Sequence, residues 1–169
     1  IPLLGNLDDE ATLWRLASLA ERVLYLAPPA SAGTTDLRVM RLLHVLARTG
    51  RVSRLVYAST TGVYGDCEGA WIDETRAVAP GTARAQRRVD AEARVRLFGR
   101  QFLARVAILR IPGIYATDRA GAHPKDRLLR GTPVQQREDD VYTNHIHADD
   151  LARACILALF KGRAQRVIN

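Results

Sequence analysis

Short apolar runs alternate with amphipathic stretches along the whole chain. Ile1 to Leu4 reads as the tail of a strand. Asp8 or Asp9 then offers a cap for a helix that lines up Leu13, Leu16, Ala17 and Ala20 on one stripe. Val23 to Leu26 has the continuous apolar character of a buried strand, stopped by Pro28 and Pro29. Val39, Leu42, Leu43 and Leu46 fall at i, i+3, i+4 and i+7, which predicts a helix with Thr35 or Asp36 as cap and Gly50 as stop. Arg54 to Ser59 predicts the next strand, and a loop from Gly65 to Gly81 leads to an Arg/Ala-rich helix over Thr82 to Phe98. Val106 to Ile111 is a further strand. A last helix carries Leu151, Ala154, Cys155 and Ala158 on one face, with Asp149 or Asp150 as cap, before a strand opens at Arg166.

Strands alternating with helices predict an α/β fold, a Rossmann-type doubly wound parallel sheet. Such folds open on a strand, a G-x-G-x-x-G turn and a helix N-terminus that grips a pyrophosphate. No glycine cluster of that kind occurs in the sequence. The expectation is therefore a single partial domain over residues 1–169, lacking the first βαβ unit and a C-terminal substrate part. A fragment of a longer chain is expected, because an open sheet without its central strand would expose apolar surface and unpaired backbone.

Hydrophobic residues make up 47% of the 169, enough for a sizeable core. The formal charge is +7, and the 25 basic residues include only two lysines, Lys125 and Lys161. Arginines are interleaved with Asp and Glu instead of forming a block, and no DNA-binding motif accompanies them, so nucleic acid is not an expected partner. No apolar run reaches the roughly 18 residues of a membrane span, so no membrane partner is expected. Cys67 and Cys155 lack metal or redox spacing, which fits a reduced cytoplasmic setting. His145 and His147 share a face if extended, with Asp149 and Asp150 following, but no third ligand is evident and no metal is expected.

Ala27-Pro28-Pro29, Ser59-Thr60 and Pro112-Gly113 each lie just past a strand, on the edge where parallel sheets bind ligands. Any one such pair simply ends a strand; three on one edge predict a groove.

Four motifs also carry a resemblance. Val56-Tyr57-Ala58-Ser59-Thr60-Thr61-Gly62-Val63-Tyr64-Gly65 is similar to the strand and loop bearing the catalytic Ser/Thr of extended short-chain dehydrogenase/reductases. Ile108 to Tyr115 resembles the later strand whose end lies against the nicotinamide. Asn144 to Ala152 resembles the turn into the late helix, and Gly5-Asn6-Leu7-Asp8 the segment near the adenine. Together they resemble the bacterial NAD-dependent epimerase/dehydratase family, in its atypical subgroup. The resemblance implies NAD or NADP as cofactor, held by Asn6, Leu7, Ala27, Pro28, Pro29, Ser59, Arg88, Ile111, Pro112 and Gly113. It also implies a small-molecule, nucleotide-linked substrate, with a homodimer as one assembly to test.

The chemistry departs from that family at one place. Its hydride transfer uses a Ser/Thr with a Tyr-x-x-x-Lys pair on one helix face. Aligned from Glu92, the Tyr and Lys positions are Arg84 and Arg88. Arginine stays charged at neutral pH, so Arg84 cannot replace the acid/base, although Arg88 can still hold a ribose or phosphate. Among the other tyrosines, only Tyr115 has a basic residue four positions on, Arg119. Thr60 takes the Ser/Thr position, either orienting a substrate oxygen or capping local backbone. Tyr64 stands as an alternative proton donor. Arg84, Arg88, Glu92 and Arg96 form a row beside Ala85, Val89, Ala93 and Leu97. That row is either a solvated face with Arg88–Glu92 and Glu92–Arg96 pairs or an anion-binding edge. The expected function is hydride exchange of the epimerase/dehydratase type; the alternative is a non-catalytic NAD(P)-binding sensor.

Overall fold

The computed structural model describes residues 1–118, 124–133, 136–139 and 143–169. Four parallel strands form the main sheet in the order β1 (Arg22–Tyr25), β2 (Arg54–Thr60), β3 (Arg105–Ile111) and β6 (Arg166–Ile168). A short parallel pair, β4 (Gly113–Tyr115) with β5 (His145–His147), continues from the end of β3. The α-helices among the described residues are α1 (Leu37–Ala47), α2 (Ala83–Gln101), α3 (Pro124–Leu129) and α4 (Ala148–Lys161).

Strand periodicity divides the core into two layers. Leu55 and Tyr57 of β2, with Val106 and Ile108 of β3, pack under Val39, Leu42 and Leu46 of α1 and Ala91, Val95 and Phe98 of α2. The intervening Val56, Ala58, Ala107 and Leu109 meet Cys155 and Ala158 of α4 on the opposite face. Helices on both faces of a parallel sheet make the expected doubly wound α/β architecture. β2 and β3 are therefore buried on both sides and read as unbroken apolar runs.

Several local expectations need correcting. Ile1 to Leu4 is not a strand; it is exposed and pairs with no described strand, and an extended segment without a ladder partner has nothing to hold it there. The stretch after Asp9 forms two 3-10 helices, Glu10–Thr12 and Trp14–Ser18, instead of one α-helix. Its stripe survives: Leu13 and Ala17 are buried against Val45. Asp9 caps the first of these turns through the Ala11 amide, while Asp8 turns to Arg38. Asp36 caps α1, taking the amides of Arg38 and Val39. The cap of α4 is neither Asp149 nor Asp150 but His147, whose Nδ1 accepts the Asp149 amide at 3.2 Å. The two aspartates fall in the first turn instead, where carboxylates favour the helix dipole.

The largest departure is in α2. Its predicted apolar row fails, since Ala93 and Leu97 are exposed. The side facing the sheet carries Arg88, Ala91, Glu92, Val95, Phe98 and Gly99. Arg88 and Glu92 are 7% and 1% exposed, so the solvated reading of this row is wrong at its centre. The physical reason is that the sheet offers each of them polar partners: oxygens at the ends of β1 and β2 for Arg88, and Ser59 and Arg110 for Glu92.

Candidate functional site

Parallel pairing brings the carboxyl ends of three strands to one edge. The ladder sets Tyr25 beside Tyr57, and Ser59 and Thr60 beside Arg110 and Ile111. Ala27-Pro28-Pro29 follows β1, Thr60 closes β2, and Pro112-Gly113 follows β3. The predicted groove edge is thus assembled from the turns expected to form it. Two concavities among the described residues lie elsewhere. One, of about 420 Å³, lies at the amino end of β1 against Glu21, Arg22, Arg51 and Phe160.

Arg88 ties two of the strand ends together. Its Nη1 lies 2.8 Å from the Ala58 carbonyl, 3.0 Å from the Tyr57 hydroxyl and 3.4 Å from the Ala27 carbonyl. The guanidinium also sits over the Tyr57 ring, 5.5 Å from its centroid. A planar fork of donors suits a point where several oxygens converge. Burial pushes the Tyr57 hydroxyl up to about 12, although Arg88 pulls it the other way. Tyr25, stacked on Tyr57 at 5.8 Å, is raised further by burial and by the Asp36 charge. Burial also raises Asp36, against the lowering effect of the Val39 amide and Arg88.

Asn6 and Leu7 reach the same edge by a different route. Arg38 of α1 donates to both carboxylate oxygens of Asp8 and, at 3.2 Å, to the Pro28 carbonyl. That bridge fixes the Gly5–Asp8 segment beside the turn after β1. The hydrogen bond from Arg38 holds the Asp8 carboxyl below its ordinary value. Asn6 is exposed and Leu7 half-buried; Pro28 is exposed and Pro29 buried.

Thr60 behaves as a local cap. Its Oγ1 accepts the Gly62 amide at 3.2 Å and starts the 3-10 turn Thr61–Tyr64. The hydroxyl keeps its proton for another acceptor, so capping and substrate orientation are compatible. Tyr64 is a different matter. It is 1% exposed, its hydroxyl donates to Asn169 Oδ1 at 2.8 Å, and Arg110 covers its ring at 4.6 Å. The expectation of an open proton donor at Tyr64 is therefore corrected: packing commits both ring and hydroxyl to the core. Arg84 is exposed in the first turn of α2 and makes no hydrogen bond to Thr60 among the described residues. The expected Arg88–Glu92 pair is absent among the described residues, whereas Glu92–Arg96 forms at 3.0 Å. Tyr115 meets the His147 ring edge-on at 5.2 Å, while Arg119 lies outside the described residues.

Sequence reasoning missed the polar centre of the site. Glu92 accepts Ser59 Oγ at 2.7 Å and both Nε and Nη2 of Arg110, at 3.1 and 2.8 Å. Burial works against the Arg110 charge, but its bonds to Glu92 outweigh it and hold the guanidinium above its ordinary value. One signal was available. Arg110 stands inside Val106-Ala107-Ile108-Leu109-Arg110-Ile111, and a charge within a two-sided buried strand requires a partner.

Small or ring-constrained residues line the three turns, and Arg88 Nε is a buried donor with no partner among the described residues. Tyr25 Oη and Asp36 Oδ2 are in the same position.

Comparison with known proteins agrees with this geometry. The chain matches a dTDP-glucose 4,6-dehydratase from Streptomyces venezuelae, solved with NAD, at 23% identity and a TM-score of 0.80, covering 96% of this chain and 55% of that one. A UDP-glucose 4-epimerase from Thermotoga maritima, solved with UDP-glucose, matches at 25% identity and 0.76, covering 96% and 60%. A Pseudomonas aeruginosa protein named RMD, complexed with NADPH, matches at 20% identity and 0.78, covering 99% and 65%. The chain thus spans less than two thirds of the length of each of these structures. No curated protein matches it. The model of the NAD dependent epimerase/dehydratase family covers residues 16–169, and the chain belongs to that family.

Proposed function

We propose that the chain forms the greater part of an NAD(P)-binding domain in a protein acting on a nucleotide-linked hydroxy or keto substrate. The observation that carries this reading is the convergence of the turns after β1, β2 and β3 on one edge, the first two tied together by Arg88. Solved relatives of the same fold hold NAD or NADPH, and one holds a nucleotide sugar. Ala27, Pro28 and Pro29 would hold one side of the cofactor, with Asn6 and Leu7 beyond them. Ser59, Ile111, Pro112 and Gly113 would hold the other side. Bound there, the cofactor would supply hydride exchange. Thr60 would orient the substrate oxygen through its free proton. Arg88 would order the strand ends and present its remaining donor edge to a ribose. Two unpaired thiols suit a cytoplasmic setting, and the sources of the named relatives suit a bacterial one.

One observation favours a second reading, binding without turnover. The two positions of the family's Tyr-Lys pair hold arginines, and the hydroxyls of Tyr57 and Tyr64 are buried and engaged. Neither Tyr57 nor Tyr64 is therefore open to replace the missing acid/base. Titration of the full-length protein with NADH and NADPH, followed by turnover assays with dTDP- and UDP-sugars, separates the readings. Micromolar binding with turnover supports the enzyme, and Thr60→Val should then cut turnover by about 100-fold or more. Binding without turnover supports the sensor. Failure to bind either nucleotide overturns both.

A further inference from the structure

The Glu92 carboxylate gathers groups from three elements. Ser59 Oγ approaches one oxygen at 2.7 Å, Arg96 Nη2 the other at 3.0 Å, and Arg110 donates to both through Nε and Nη2. Ser59 and Arg110 are direct partners in the β2–β3 ladder, one residue before Thr60 and two before Pro112 respectively. Glu92, Ser59 and Arg110 are 1%, 4% and 4% exposed, so this carboxylate is shielded from water. A charge so placed restricts the groups around it, because any displacement leaves a buried guanidinium or carboxylate without its partner. Arg88, one turn earlier on the same helix, does the corresponding work between β1 and β2.

We propose that Glu92 is a positioning residue: through Ser59 and Arg110 it fixes the spacing between the Thr60 turn and the Pro112–Gly113 turn. Those turns are the two walls of the groove, so the importance of this spacing rests on the dinucleotide-binding reading. The ion pair is costly to bury and hydrophobic replacements of similar volume often fold as well or better. That makes structural support and positioning separable. Apolar replacement of both partners removes the polar tether while filling the same space.

The experiment uses the full-length protein and the double variant Glu92→Leu/Arg110→Met. Amide hydrogen exchange is followed at residues 60–62 and 113–115, with α1 residues 39–46 as the internal reference, alongside Tm and NADH titration. The expected result is an unchanged or higher Tm and unchanged α1 protection. Exchange at both turns should be faster by about tenfold, and the NADH dissociation constant raised by about the same factor. Unchanged exchange at the turns in the folded double variant overturns the proposal, whatever the NADH affinity. Faster exchange with unchanged NADH affinity, or a wild-type protein that binds neither NADH nor NADPH, leaves the positioning role standing and instead removes the groove as the nucleotide site. If the double variant does not fold, Ser59→Ala decides. It cuts only the β2 tether and should speed exchange at 60–62 alone; no change there overturns the proposal.

Discussion

At the scale of single residues, the site is defined by charges inside the protein. Replacing Arg88 by Met would leave the Tyr57 hydroxyl and the Ala58 carbonyl without their donor. Unsatisfied buried groups cost about 1–3 kcal/mol each, so urea denaturation should show a loss of about 2–4 kcal/mol. Arg88→Lys should recover only part of it, since one ammonium cannot span the same oxygens. Tyr57 makes a separate prediction. Its folded value of about 12 exceeds the ordinary 10, so the neutral hydroxyl is favoured in the folded state. The resulting stability is complete below pH 10 and is lost as pH rises toward about 12. Absorbance titration of tyrosinate should show a late phase, which Tyr57→Phe diminishes. Thr60 and the small turn residues were visible in the sequence because their spacing from strand ends is local, whereas Arg88 was singled out only by aligning its helix from Glu92. Glu92 and Ser59 as partners of Arg110 were not visible. Side chains 18 and 51 positions from Arg110 meet only once the sheet has formed.

At the scale of elements, α2 shows how tertiary context overrides a pattern. Its sequence reads as an arginine-rich surface helix, yet the side facing the sheet includes two charged residues that a period-3.6 count assigns to solvent. By contrast, α1 carries its buried stripe in plain aliphatic residues, and Val39, Leu42, Leu43 and Leu46 were legible, whereas Val45, turned toward Leu13 and Ala17, was not. The 3-10 turn after β2 depends on Gly65, which has φ +72° and would place a Cβ 2.2 Å from the Ala79 carbonyl oxygen. Gly65→Ala should therefore destabilise by about 2 kcal/mol or more, read by thermal melting, with the turn at 61–64 losing exchange protection first. His147 supports the start of α4. His147→Ala should cost about 1 kcal/mol at neutral pH, and His147→Asn, which offers a side-chain acceptor, should restore most of it.

At the scale of the whole molecule, alternation of strands and helices implies a parallel sheet covered on its faces, which is why the doubly wound class was readable from sequence alone. The division of the core into an α1/α2 layer and an α4 layer follows equally from strand parity. What alternation could not reveal was the linkage of distant segments, such as Asp8 through Arg38 to Pro28. The net charge of +7 also acts at this scale. It should speed the approach of an anionic nucleotide without dominating its hold. NADH affinity should accordingly fall by less than about tenfold between roughly 50 and 500 mM NaCl, measured by fluorescence titration. A far steeper dependence, matched by binding to duplex DNA, would bring back a polyanion partner. The β4–β5 pair sets Gly113 beside His145 and Tyr115 beside His147. The positions at which the chain departs from β4 and rejoins at β5 are therefore neighbours, like the two ends of a handle. Closing such a handle costs little more as it lengthens. A designer is thus free to vary the intervening segment in length and composition while keeping the frame beneath.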